Sequence, residues 1–419
     1  MYANFSREAV IVQKYGGTSV SSIERISSVA DRITDFYKQG YGKLVIVVSA
    51  MSGETNRLVD LVKSMDPHAR DKIYDVAVSA GEQVSAALLA AALEKRAVPA
   101  EPLLAYNVGI YTDSFHGKAR IRNIKSEAIQ KCWEQKAIPI IAGFQGVTQE
   151  MNITTLGRGG SDTSAVAIAV ALKANFCEIN TDVDGVYSAD PRVVPAAKLI
   201  PQLDYESALE MAALGSKVLH SRCVELAAKY QMPIVVRNSF KPNESQRTLI
   251  MDSVNAKDFL EAPVVSGVTL DKNVVKVSVN GLSSKSSSIT KLFEELAQEQ
   301  INVDIIVHSP FSGESSMHLG FTVGKEDLHK TLACLRKLKE DTSCSTLKVE
   351  TKEGLAKVSA VGFGMRSHSG VAGKIFSALS DHGIELEMIS TSEIKVSCVI
   401  DEKDGPKASQ ALHQAFFHD

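Results

Sequence analysis

The chain has 419 residues, of which 44% are hydrophobic and 23% charged, with a formal net charge of -3. This is the make-up of a soluble globular protein of two or three domains with sizeable cores. It contains no dense basic run, which argues against nucleic acid or an anionic membrane as the main partner and requires any phosphate-binding charge to be local.

The first half alternates between two kinds of segment. Val10–Gln13 reads as a short apolar strand, and Ile23, Ile26, Ala30, Ile33 and Tyr37 then recur at helical spacing. Ser21 and Glu24 form a capping box at that helix start, and Gly40 fits just past its end. Leu44–Val48 is a continuous apolar strand of the kind buried on both faces. Ala77–Leu93 reads as one long helix in spite of Gly81, Ile138–Ala142 as a strand, Thr163–Leu172 as a helix, and Phe176–Ile179 and Pro233–Arg237 as strands. Such alternation predicts an α/β fold, a mostly parallel sheet with helices on both faces.

After Asn238 the polar run Lys241–Arg247 reads as a linker. An internal repeat follows. Lys276-Val277-Ser278-Val279-Asn280-Gly281, Phe293 and Ile301–Ile306 are matched by Lys357-Val358-Ser359-Ala360-Val361-Gly362, Phe376 and Ile384–Ile389. Order, spacing and end residues agree, so two copies of a βαββαβ (ferredoxin-like) module are expected.

None of the six cysteines, Cys132, Cys177, Cys223, Cys334, Cys344 and Cys398, are spaced as C-x-x-C, and no histidines cluster near them. Reduced thiols in a cytoplasmic protein are expected, with neither disulfides nor a metal site. The first eight residues lack the apolar core of a signal peptide, and the apolar run near Leu88–Leu93 is too short to span a bilayer.

Two glycine-bearing segments could carry chemistry. Lys14 follows a buried strand and precedes Gly16-Gly17-Thr18-Ser19. Ligands of open α/β sheets gather at the carboxyl ends of strands, and paired glycines let backbone N–H groups approach a phosphate. Many such turns bind nothing, so this signal is moderate alone. Leu156-Gly157-Arg158-Gly159-Gly160-Ser161-Asp162-Thr163 is stronger, a glycine-rich loop entering an apolar helix. Ser161 reads as an N-cap and Asp162 as a first-turn acid; capping alone does not explain three glycines around an arginine suited to bidentate anion binding.

There is no G-x-x-x-x-G-K-[ST] and no H-R-D or D-F-G signature. Asn180–Arg192 reads as a nucleotide-contacting loop, with Asp182 and Tyr187 at the base and Arg192 at the phosphates; the other readings are a polar surface loop and an EF-hand-like calcium loop, the latter failing for want of a glutamate at its end. Lys217 is a further candidate cation or a solvated lysine. Glu82, in an apolar helix, either faces solvent or binds an ammonium.

Together these segments resemble aspartate kinases of the amino-acid kinase superfamily. The matching motifs are Lys14–Gly17, Val48-Ser49-Ala50-Met51, Ala80-Gly81-Glu82, Ala142-Gly143-Phe144-Gln145, Gly157–Asp162, Thr181–Tyr187, Ala189-Asp190-Pro191-Arg192, Gly215-Ser216-Lys217 and Ile389–Ile394. They cover nearly the whole chain in order. The resemblance implies a three-layer αβα kinase domain at 1–245 and two ACT domains at 264–343 and 344–419, with a C-terminal strand interleaved into the first. It implies ATP-dependent phosphorylation of the L-aspartate β-carboxylate, with magnesium carried by the nucleotide.

On that resemblance Lys14 and Asp162 are catalytic. Ser49, Thr55, Glu82, Arg158, Gly159, Gly160 and Ser161 hold the substrate. Lys14, Tyr15, Gly16, Gly17, Thr18, Ser19, Ser161, Thr181, Asp182, Tyr187, Asp190, Arg192 and Lys217 hold ATP. Pairing of ACT modules implies a homodimer or higher oligomer.

The regulatory half departs from the family pattern. Ser284-Lys285-Ser286-Ser287 replaces Asp-Lys-Pro-Gly, His308-Ser309 replaces Gln-Asn, Ser369 replaces a proline and Glu385 an asparagine. Loss of an acid and a glycine removes groups that would hold an amino-acid effector, so altered or lost inhibition by lysine and threonine is expected. The alternatives are a kinase for glutamate or an N-acyl amino acid, and an inactive ACT-type sensor. Intact Lys14, Arg158, Asp162 and Lys217 speak against the sensor.

Overall fold

The computed structural model describes residues 6–41, 43–216, 218–241, 246–252, 264–283, 286–310, 316–339, 347–362, 365, 368 and 370–417. Lys217, the Ser284-Lys285 turn, Cys344, Ser369 and much of the 241–247 linker therefore lie outside the described residues, wholly or in their side chains. The chain divides into two units, one of residues 1–188 and 198–262, the other of residues 189–197 and 263–419.

The first unit runs β1 (Ile11–Tyr15), α1 (Ile23–Lys38), β2 (Leu44–Val48), α2 (Glu54–Met65), α3 (Asp71–Val78), α4 (Ala80–Glu94), β3 (Ala100–Leu103), α5 (Ala105–Val108), β4 (Ile110–Thr112) and β5 (Ile121–Ile124). It continues with α6 (Glu127–Glu134), β6 (Ile138–Ala142), β7 (Gln145–Val147), β8 (Ile153–Thr155), α7 (Gly160–Ala171), β9 (Phe176–Thr181), β10 (Gln202–Leu203), α8 (Tyr205–Ala213), α9 (Ser221–Tyr230), β11 (Ile234–Asn238) and β12 (Thr248–Ile250).

Eight strands form one sheet in the order β10-β12-β11-β9-β1-β2-β6-β3. Every pairing is parallel except β11 with β12, so the predicted α/β sheet is present, with one antiparallel pair beyond Pro233–Arg237. Strand alternation gives the faces separate jobs. Ile11, Tyr15, Ile46, Val48, Ile140 and Ala142 pack with α1 and α4 in one apolar core. Val12 and Lys14 point the other way, towards the face where α7 meets β1.

Two local expectations change. The cap of α1 is Ser22, whose side chain accepts from Arg25 N, not Ser21. The single helix expected over Ala77–Leu93 is broken at Ser79, which ends α3 and precedes α4. Asp71–Glu94 is the one described helical stretch long and apolar enough to cross a membrane by length and composition; half of its apolar window is buried inside the protein.

In the second unit, β13 (Gly267–Ser283), α10 (Ser286–Gln298), β14 (Val303–Pro310), β15 (Ser316–Val323), α11 (Leu328–Lys339) and β16 (Lys348–Val361) precede α12 (Val371–Asp381), β17 (Met388–Thr391), β18 (Lys395–Asp401) and α13 (Gly405–Phe417). The six strands form one sheet, ordered β14-β15-β13-β16-β18-β17. Both long strands serve both repeats. Val275–Ser283 of β13 pairs with β15, whereas Gly267–Asp271 pairs with Lys357–Val361 of β16. The exchanged strand is thus Gly267–Asp271, ahead of the first repeat. The last described strand, β18, pairs with β16 and β17, and helix α13 follows it as the last described element.

Residues 189–197 also belong to this unit. Ala189 and Val194 are buried in a core with Val268, Val358, Ile375, Leu379 and Leu412.

Candidate active site

Lys14 is the penultimate residue of β1, and its side chain lies on the α7 face. There Nζ meets Asp162 Oδ1 at 2.5 Å, with both side chains largely buried. Asp162 stands in the first turn of α7, where a carboxylate is favoured by the helix dipole. The cap of α7 is Gly159 rather than Ser161. Gly159 is left-handed, φ +68°, and a Cβ there would stand 2.3 Å from the His220 Cβ. Only glycine fits such a place without strain. Ser161 is thereby released from capping, and its hydroxyl lies 2.7 Å from that of Ser49, just beyond β2.

A cavity of 280 Å³ opens at the Ser49–Ser161 contact. It is lined by Gly17, Ser49, Thr55, Glu82, Phe144, Arg158, Gly159, Gly160 and Ser161, together with Ala50 to Gly53 and Gly157. Glu82 is 4% exposed. Its Oε1 accepts from Ala50 N at 3.1 Å, while its buried Oε2 has no hydrogen-bond partner among the described residues. Burial pushes its carboxyl up to about 7, against the pull of that backbone donor. The acid therefore lines the pocket rather than facing solvent. Arg158 is exposed on the glycine-rich loop. One wall thus offers an acceptor for an ammonium and another a cation for a carboxylate. A larger hollow of 410 Å³, lined by Tyr111, Arg122, Lys125 and Gln149, lies on the separate β5-β4-β7-β8 sheet and holds none of these groups.

Several expected contacts fall elsewhere. Tyr15 is fully buried on the face opposite Lys14, and its hydroxyl donates to Gln13 Oε1 at 3.1 Å, so it offers no side chain to a nucleotide. Ser19 is also buried. Its hydroxyl donates to Ser239 Oγ at 2.8 Å, tying the turn to the end of β11. Thr18 is exposed, and Gly16 leaves room for the Lys14 ammonium, 3.3 Å from where its Cβ would be.

In the loop after β9, Thr181 Oγ1 donates to exposed Asp182 at 3.2 Å, and the Tyr187 hydroxyl donates to Asp184 at 3.2 Å. Asp184 also accepts from Asn238 at 2.8 Å, a hub that the sequence reading passed over. Burial pushes its carboxyl up, but the bonds from Asn238, Lys241 and Tyr187 outweigh it and hold it below the usual range. Arg192 donates to Asp190 three times, from its backbone N and Nε at 2.9 Å each and from its guanidinium end at 2.7 Å, and both lie in the 189–197 segment of the second unit.

The sequence reading also missed Ala50 and Phe144 as parts of the pocket. Phe144 has φ +68°, unusual for a bulky residue and a mark of a constrained site. The motif Ala142–Gln145 was visible, but a strained backbone leaves no signal in residue type.

The parallel sheet, the glycine-rich loop at a helix start and the Lys–Asp pair define a small-molecule kinase of the α/β class. The model of the amino acid kinase family matches residues 9–238, and that of an ACT domain matches residues 358–416. The chain is 46% identical over 408 residues to an aspartate kinase of Stutzerimonas stutzeri, covering 97% of each. It resembles the crystal structure of E. coli aspartokinase III in complex with aspartate and ADP (R-state), with TM-score 0.80 and 25% identity over 98% of this chain and 100% of that one. The same enzyme in complex with lysine and aspartate (T-state) matches with TM-score 0.71 and 25% identity over 99% and 100%. The chain belongs to the aspartate kinases of the amino acid kinase family.

Proposed function

We propose that the chain transfers the γ-phosphoryl group of ATP to the β-carboxylate of L-aspartate, giving 4-phospho-L-aspartate and ADP, the entry step to the aspartate family of amino acids. The observation that carries the reading is the cavity with the buried, half-unpartnered Glu82 and the exposed Arg158 in its walls; its lining also includes Ser161, the chain neighbour of Asp162, which pairs with Lys14. A free amino acid has both an ammonium and an α-carboxylate to satisfy there.

The β-carboxylate is ionised at neutral pH, so no general base is required. Its oxygen forms the new bond to phosphorus while the bond to the ADP oxygen breaks in line. Catalysis is then positioning and charge neutralisation. Lys14 neutralises charge on the moving phosphoryl group, and Asp162 holds Lys14 in place. Glu82 binds the ammonium and Arg158 the α-carboxylate, with Ser49, Ser161 and Thr55 adding hydrogen bonds. Gly16, Gly17 and Thr18 border the phosphates, and Thr181, Asp182 and Tyr187 border the rest of the nucleotide.

No group of three or more His, Cys, Asp or Glu side chains converges among the described residues. This donor set fits a magnesium ion brought by the nucleotide phosphates, with Asp162 as the nearby carboxylate, better than a protein cage. Bound there, the ion would supply charge neutralisation on the phosphates.

A hydroxylamine trap of the acyl phosphate tests the reading with L-aspartate, L-glutamate and N-acetyl-L-glutamate. Hydroxamate from L-aspartate foremost is expected. Preference for either other acid contradicts the substrate, and no hydroxamate from any of them leaves an inactive sensor.

For the second unit we infer altered or lost inhibition by lysine and threonine. The residue departures at Ser284-Lys285, outside the described residues, and at His308-Ser309, on the exposed outer strand β14, support it. Exposed Ile306, Val307 and Ile389 on the two outer strands support association with a second copy. An inhibition curve checks the first inference: strong inhibition by lysine at low concentration, alone or with threonine, contradicts it. Light scattering checks the second, a monomer contradicting it.

A further inference from the structure

Outside the pocket, the described residues hold a fully buried carboxylate that the mechanism does not use. Asp75, on α3, is 0% exposed. It accepts from Thr155 Oγ1 at 2.5 Å and from Gly117 N at 3.0 Å, and it meets His116 Nδ1 at 2.7 Å. A buried carboxylate is costly unless several donors compensate it, so this site holds its neighbours in one arrangement.

The donors share a direction. Thr155 ends β8 and leads through Leu156 and Gly157 into Arg158. The Gly117 carbonyl packs on the same loop, 3.1 Å from where a Cβ of Gly157 would stand. Ala119 N donates to Thr155 O at 2.9 Å. Arg222 then donates to both Leu156 O and Ala119 O, each at 2.7 Å, closing the strap from behind. On the other side, α3 passes through Ser79 directly into α4, whose first turn carries Glu82. The Ser79 carbonyl is itself held by Gln145 Nε2 at 3.2 Å.

We propose that Asp75, with His116 and Thr155, is a positioning unit that fixes the spacing between Glu82 and Arg158 and so sets the affinity for aspartate. The inference rests on the reading of those two residues as the substrate clamp. None of Asp75, His116 and Thr155 lines the cavity. They act on the substrate through the elements they tie together, and a clamp out of register by a fraction of an ångström binds poorly.

The test measures steady-state KM for aspartate and for ATP in Thr155→Val, His116→Ala, His116→Asn and Arg158→Ala. Thr155→Val removes one hydroxyl at nearly constant shape. Thr155→Val and His116→Ala are expected to raise the aspartate KM about tenfold, the loss of one hydrogen bond to a charged group, and to leave the ATP KM unchanged. His116→Asn, whose amide nitrogen can stand where Nδ1 stands, is expected to restore much of the loss. The proposal is overturned if the two KM values move together, or if neither moves while Arg158→Ala raises the aspartate KM. If Arg158→Ala leaves the aspartate KM unchanged, the clamp reading itself fails and this inference with it.

Discussion

Lys14 Nζ lies 2.5 Å from Asp162 Oδ1, joining the end of the central strand β1 to the first turn of α7. Asp162 thereby fixes the Lys14 ammonium where a strand end, a glycine turn and a helix start converge. On the proposed reading that charge acts on the phosphoryl group in flight more than on either bound substrate. Lys14→Ala is therefore expected to lower kcat by ~10²–10³-fold, the usual loss for one preorganised charge donor, with a much smaller change in the aspartate KM. Steady-state kinetics check this; an unchanged kcat refutes the role.

Glu82 gives a pH signature. Burial raises its carboxyl to about 7. An incoming ammonium favours the ionised form, so below pH 7 a proton must leave before aspartate binds. The aspartate KM should rise about tenfold for each pH unit below that value and level off above it. The substrate's own carboxyls titrate far lower and do not confuse the reading. Glu82→Gln should raise the KM and abolish the slope. A KM that stays flat through the acid range in the unmodified protein would contradict the assignment.

Gly81 tests the packing behind that carboxylate. A Cβ at Gly81 would stand 2.8 Å from the Ala50 Cβ. Gly81→Ala must push α4 away from the turn whose Ala50 N donates to Glu82. Overpacking of this kind costs ~1–3 kcal/mol. The expected result is a lower thermal midpoint and a raised aspartate KM, with the ATP KM unmoved. Unaltered substrate affinity would show that the turn adapts without disturbing Glu82.

On the α1 face of the sheet, opposite Lys14, Arg32 donates to the fully buried Glu178 at 2.8 Å. Burial still raises the Glu178 carboxyl to about 7, with Arg237 and Asn180 pulling the other way. Its folded value lies above its unfolded one, so its contribution to stability is present at acid pH and is lost as pH rises through 7. Arg32→Ala removes the nearer of two cations on that carboxylate and leaves only Arg237, 3.9 Å from Oε2, so the loss stays below the ~3–5 kcal/mol of a buried charge stripped of its partner. The drop in thermal midpoint should be largest above pH 7 and smaller near pH 5. An equal drop at both would place the role of Arg32 in packing alone.

The parallel sheet was legible because both-face burial leaves unbroken apolar runs such as Leu44–Val48. The duplicated second half was legible because Lys276–Gly281 and Lys357–Gly362 repeat in kind and spacing. The exchanged strand was not, since Gly267–Asp271 carries no mark of which repeat it will pair with. Lys14, Glu82, Arg158 and Asp162 stood out because charge beside glycine, or within an apolar helix, needs a reason. Tyr15 and Ser19 misled because they sit inside the motif, while strand alternation turns one to the far face and a hydroxyl bond ties down the other. The Asp75 strap stayed hidden because Asp75, His116 and Thr155 are far apart in sequence.

The central claim is that the pocket reads both charges of free aspartate and presents the β-carboxylate to ATP. The most direct measurement is the identity of the hydroxamate trapped from L-aspartate, compared with N-acetyl-L-aspartate. The account predicts the β-hydroxamate from L-aspartate and little from the acetylated acid, which has no ammonium for Glu82. An α-hydroxamate, or equal turnover of the two acids, would contradict it.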